Sequence, residues 1–114
     1  MSNCILITNI IYGKTLGRAI RILDDIILHE LDLSQIVSFR RCTYTSEVVL
    51  KDGTKYKAVC AGDGCRGLRF NQAIIDCKID KDTIENCIEP YGCYSTLPDE
   101  KQIVISEFSK SIDI

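Results

Sequence analysis

The passage from residue 3 to residue 31 constrains this chain most. A continuous apolar run turns there, within four residues, into a helical pattern. Residues 3–11 (NCILITNII) lack the apolar–polar alternation of a strand with one wet face. An unbroken run rich in β-branched side chains predicts a strand covered on both faces. Gly13 ends the run. Residues 15–31 then place Leu16, Ala19, Ile20, Leu23, Ile26, Ile27 and Leu31 at helical spacing, with Arg18, Arg21, Asp24, Asp25 and His29 between them. Ile22 widens the apolar stripe, so this helix is expected to pack on a sheet. Thr15 is the expected N-cap, because its hydroxyl can accept a bond from an orphan N–H of the first turn.

The remaining chain alternates short strands with turn signals. Strands are expected over 35–42, 46–51, 55–61, 73–79 and 102–108, with a second helix over 81–89 capped by Asp80. Asp52-Gly53 between two β-rich runs marks a hairpin. Residues 62–67 (GDGCRG) hold three glycines and predict a loop of unusual backbone angles. The order β-α-β-β-β-β-α-β predicts an α/β fold: one domain over residues 1–114, with a mixed sheet and two main helices. A length of 114 residues with 26% charged and 46% hydrophobic side chains fits one globular unit and excludes a disordered tail or a rod. No segment approaches the ~20 apolar residues that span a bilayer. The apolar stretch at residues 4–12 lacks a basic leader and a small-residue cleavage site, so a cytoplasmic chain with reduced thiols is expected. Cys4, Cys42, Cys60 and Cys77 fall in or beside expected strands and read as small buried hydrophobes. Cys65 and Cys93 fall in loops. None of the seven cysteines forms a Cys-x-x-Cys pair, and neither a metal nor another cofactor is expected. His29 reads as a surface residue of the first helix.

Net charge is −2, which argues against a general polyanion binder. The distribution is uneven: residues 1–70 carry ten Lys/Arg against seven Asp/Glu, and residues 71–114 four against nine. Arg40, Arg41, Arg66 and Arg69 are the candidate contacts to an anion or a partner. Few aromatics accompany them, so a base-stacking platform is not indicated. Asp99, Glu100, Glu107 and Asp113 give the last segment an acidic character suited to a basic protein surface.

The first turn carries the sharpest motif. A phosphate-binding loop has Gly, four residues, then Gly-Lys-Ser/Thr, between a strand and a helix. Gly13, Lys14 and Thr15 sit at that spacing, with Thr8 where the first glycine belongs. Ile10 and Ile11 are β-branched, and positive φ is costly for them. Tyr12 adds bulk where a phosphate would lie. The apolar run Ala73-Ile74-Ile75 ends in Asp76, the place of a magnesium-binding carboxylate in a nucleotide hydrolase. The next position, commonly a catalytic glutamate, holds Cys77, which cannot serve as the carboxylate base.

From Glu47 to Asp76 the chain resembles the ATPase domain of phage terminase large subunits and related phage NTPases. The matching residues are Leu50, Asp52, Gly53 and Thr54 in a hairpin turn, Arg66, Gly67, Arg69 and Phe70 in an Arg-Gly loop, and Ile75 with Asp76 at a strand end. The resemblance covers residues 4–80. It implies half of a phosphate-loop NTPase fold, degenerate and truncated, with Gly13, Lys14, Thr15 and Asp76 as the remnant nucleotide site. With the first glycine and the glutamate replaced, no catalysis is expected. The expected function is that of a small phage-type interaction protein that inhibits a host defence or other host enzyme by binding it. The alternative is a nucleotide- or nucleic-acid-binding remnant of the ATPase.

Overall fold

The apolar run becomes the centre of a sheet. In the computed structural model, which describes residues 7–62, 68–92 and 103–112, strand β1 spans Thr8–Gly13. It lies parallel to β4 (Lys55–Cys60) on one side and to β5 (Gln72–Ile75) on the other. Strand β2 (Ile36–Arg41) and strand β3 (Ser46–Leu50) continue the β4 side as an antiparallel meander, and β6 (Ile103–Ile105) adds parallel to β5. The sheet order is β2-β3-β4-β1-β5-β6. The chain is thus a small α/β domain with a mixed six-stranded sheet and two helices.

Alternation along β1 explains why its sequence shows none. Ile10 and Tyr12 point into one core with Val59, Phe70, Ala73, Ile75, Cys87 and Ile88, where the rings of Tyr12 and Phe70 meet edge to face at 6.1 Å. Ile11 points into the other core with Ala19, Ile22, Leu23, Ile26, Val48 and Ala58. A strand flanked by two cores needs apolar side chains at both parities.

Helix α1 spans Leu16–His29 and covers the second core. Thr15 is its N-cap, with Oγ1 accepting from the Arg18 N–H at 3.2 Å. The buried face is Arg18, Ala19, Ile22, Leu23 and Ile26, rotated from the expected stripe. Arg18 is inside, while Leu16, Ile20 and Ile27 lie only part-buried along the margins. Burying Ile22, Leu23 and Ile26 is worth about 1.5–3 kcal/mol each. His29 is exposed near Asp25, as a surface residue.

The β3–β4 hairpin turns at the expected place. Gly53 takes φ 91°, which a side chain resists, and Asp52 Oδ1 accepts from the Thr54 N–H at 2.9 Å. The second helix begins as α2 (Lys81–Thr83), capped by Asp80, which accepts from Thr83 N–H at 3.0 Å and Thr83 Oγ1 at 2.7 Å. It then widens to a π turn over Ile84–Ile88, which places Cys87 and Ile88 in the core, and closes as a 3-10 turn over Glu89–Tyr91. The last described segment runs from β6 through a 3-10 turn, Phe108–Ser111, to Ile112, which packs back onto the α1 core. Residues 3–6 of the expected first strand lie outside the described residues. So do Arg66, Cys65 and Cys93, and Asp99, Glu100 and Asp113 of the acidic tail.

Candidate functional site

The structure brings together the four residues of the expected nucleotide site, at the carboxyl ends of β1 and β5. The Lys14 backbone N–H donates to Asp76 Oδ2 at 2.9 Å, and the Asp76 N–H donates to the Tyr12 carbonyl at 2.9 Å. What holds them is a fifth residue that local periodicity concealed. Arg18, 2% exposed, forks onto Asp76, 0% exposed: Nε donates to Oδ2 at 2.6 Å and Nη2 to Oδ1 at 2.8 Å. The guanidinium also donates to the Ser109 carbonyl at 2.9 Å and the Ile112 carbonyl at 3.3 Å. The Lys78 N–H completes the carboxylate at 3.0 Å. One buried pair therefore ties the start of α1, the end of β5 and the 106–112 segment together.

The electrostatics agree with that geometry. Burial pushes the Asp76 carboxyl up, but the hydrogen bonds from Arg18, Lys14 and Lys78 outweigh it and hold the group below the usual carboxylate range. The hydrogen bond to Asp76 likewise raises Arg18 above its usual value, against the cost of burial. A carboxylate offers about four lone-pair directions, and four donors fill them here. Asp76 is a structural anion with no lone pair turned to solvent.

The expected phosphate loop takes a different form. Thr8 to Gly13 is paired strand throughout, and only Lys14 and Thr15 separate it from α1. A phosphate cradle needs several consecutive N–H groups turned inward from a loop. Here those of β1 belong to the sheet and that of Lys14 to Asp76. Gly13 is required for packing: a Cβ would stand 2.4 Å from the Ala19 nitrogen and the Thr15 carbonyl oxygen. Thr15 serves as the cap, and the Lys14 side chain is exposed. Cys77 is part-buried, and its N–H donates to Ser109 Oγ at 3.0 Å.

The described candidate anion contacts, Arg40, Arg41 and Arg69, do not converge. Arg40 and Arg41 lie on β2 at successive positions, so they face opposite sides of the sheet. Arg41 pairs with Asp24 at 2.9 Å and lies over the Phe39 ring at 5.1 Å. Arg69 is exposed ahead of β5, with β3, β4 and β1 between it and β2. Cys42 and Cys60, expected to be buried, are exposed, whereas Cys87 is buried.

The surface that stands out is β2. It ends the sheet, and Val37 through Arg41 are exposed on both faces. Val37 at 59% and Phe39 at 50% are large apolar side chains in open solvent, with Leu33 just before the strand and Tyr44 just after it also exposed. Pairing with β3 shifts register between Ile36 and Ser38, placing Val37 at a bulge. The sequence reading missed Val37 and Phe39. Their signal was the alternation Val-Ser-Phe-Arg, which marks a strand without saying that no layer covers it. No protein-family model, curated protein or solved structure matches the chain.

Proposed function

We propose that this chain is a small non-catalytic interaction protein that docks a partner protein along β2. In the phage setting that its terminase-like stretch implies, it inhibits a host defence enzyme or another host enzyme in the cytoplasm. The observation that carries the reading is the exposure of β2. An end strand offers a row of backbone donors and acceptors that another chain can extend, and soluble domains usually blunt such edges. Here the bulge at Val37 and the charges of Arg40 and Arg41 blunt the edge only in part, and Val37 and Phe39 still present apolar surface along it. Strand addition supplies affinity through the main chain, while alternate side chains supply selectivity. The fixed state of Asp76 supports the same reading, because the one buried carboxylate among the described residues is fully engaged in holding the fold. The experiment is affinity capture from host cells with the wild-type chain and with Phe39→Asp. Wild type is expected to retain one protein in near-equal amount and Phe39→Asp to lose it. Equal retention by both would remove β2 from the account.

A further inference from the structure

Strands β1 and β4 are neighbours and parallel, but the chain leaves them toward opposite faces of the sheet. After β1 it enters α1 over one core, and after β4 it leads to Leu68 and Phe70 against the other. Such a divergence at the carboxyl ends of parallel strands opens a crevice where α/β proteins bind ligands. The structure has a cleft at this point, of about 390 Å³, within the roughly 300–1,000 Å³ of small-molecule sites. Leu16, Tyr44, Val59 and Leu68 give it apolar walls, and Cys60 stands at its edge. Among the described residues Lys57 is its one charged lining residue. Glu47, opposite Lys57 in the register, sits 3.9 Å from the Lys55 ammonium instead. Among the described residues Lys57 therefore has no carboxylate partner, and its charge is available to a ligand.

We propose that this cleft binds a small monocarboxylic acid with an aromatic or aliphatic body. The body fills the space between Leu16, Val59 and Leu68, and the carboxylate meets the Lys57 ammonium. The pairing places the ligand's apolar part against apolar walls and its charge against the one cation among the described lining residues. The cleft borders the β2 surface through Tyr44, but its proposed ligand contacts, Leu16, Lys57, Val59 and Leu68, lie off β2, so its test does not depend on β2 docking.

The experiment is a titration of the full chain with 3-phenylpropanoate, followed by methyl chemical shifts, with 3-phenylpropanol and inorganic phosphate as comparisons. The carboxylate is expected to saturate and to move the methyls of Leu16, Val59 and Leu68. The alcohol should bind about tenfold more weakly, the size of one charge-assisted hydrogen bond. Phosphate should give no saturable shift. Lys57→Met keeps the aliphatic stem and should erase the preference for acid over alcohol, and Leu68→Asp should abolish binding. Occupancy should also slow alkylation of Cys60 while leaving that of Cys42, exposed but outside the cleft wall, unchanged. Equal binding of acid and alcohol, shifts that map elsewhere, no saturable binding, or an unaltered preference in Lys57→Met would each overturn the proposal.

Discussion

Asp76→Asn separates a structural carboxylate from a catalytic one. A carboxylate held ready for a metal or a base carries an energetic cost, and neutralising it leaves stability unchanged or raises it. In this structure the amide replacement sets an NH2 donor against a guanidinium that is itself all donor. One of the bonds at 2.6 and 2.8 Å is lost, and Arg18 stays buried with its charge unpaired. Removing one partner of a buried pair costs about 3–5 kcal/mol. Unfolding entropy of about 2.1 cal/mol/K per residue gives about 0.24 kcal/mol/K for this length, so Tm should fall by about 12–20 °C. The assay is calorimetry or a circular-dichroism melt, backed by a urea titration. Arg18→Met with Asp76→Leu should recover part of the loss, because two apolar side chains need no partner. The recovery stays partial because the Ser109 and Ile112 carbonyls and the Lys14 and Lys78 N–H groups lose theirs. An Asp76→Asn protein as stable as wild type refutes the reasoning.

Other outcomes follow from the same geometry. The Asp76 carboxyl titrates below its ordinary 3.8 in the folded chain, so its contribution is complete above that value and is lost as pH falls through the folded pKa. Wild type should therefore lose stability as pH falls below the ordinary carboxylate range in urea titrations, and Asp76→Asn should lose less. Gly13→Ala drives a methyl group into the backbone of α1 and should cost about 1–3 kcal/mol or more in a thermal melt. Thr15→Ala removes the cap and should cost about 1 kcal/mol, whereas Lys14→Ala should stay within about 0.5 kcal/mol, since only the Lys14 backbone bonds Asp76. Millimolar ATP with magnesium should leave Tm unchanged, and a rise abolished by Lys14→Ala would support the nucleotide-binding alternative.

The element order was legible because it rests on local signals. Apolar runs set the strands, Asp52-Gly53 set the hairpin, and Thr15 set the start of α1. Elements whose geometry depends on distant partners were not legible. Periodicity places Arg18 on a wet face, because its partner Asp76 lies 58 residues on and nothing local announces it. The Gly-Lys-Thr spacing matched a phosphate loop, but the burial of Ile10, Ile11 and Tyr12 between two cores keeps the chain in strand up to Gly13. The second helix reads as regular α from its sequence, but seating Cys87 and Ile88 in the core widens it to a π turn. Exposure of Val37, Phe39 and Cys42 depends on which strand ends the sheet, a property of topology rather than of residue type, and Cys60 is exposed as the last residue of the interior strand β4.

The central claim is that β2 is the working surface and that the Lys14–Asp76 junction is scaffold. It is tested most directly by quantitative capture from host cells with three baits: wild type, Phe39→Asp and Lys14→Ala. Each is first confirmed to melt within a few degrees of the others. Wild type and Lys14→Ala are predicted to hold the same partner in near-stoichiometric amount, and Phe39→Asp to hold none. A partner kept by Phe39→Asp and lost by Lys14→Ala, or nothing retained by wild type above a bait-free control, would contradict it.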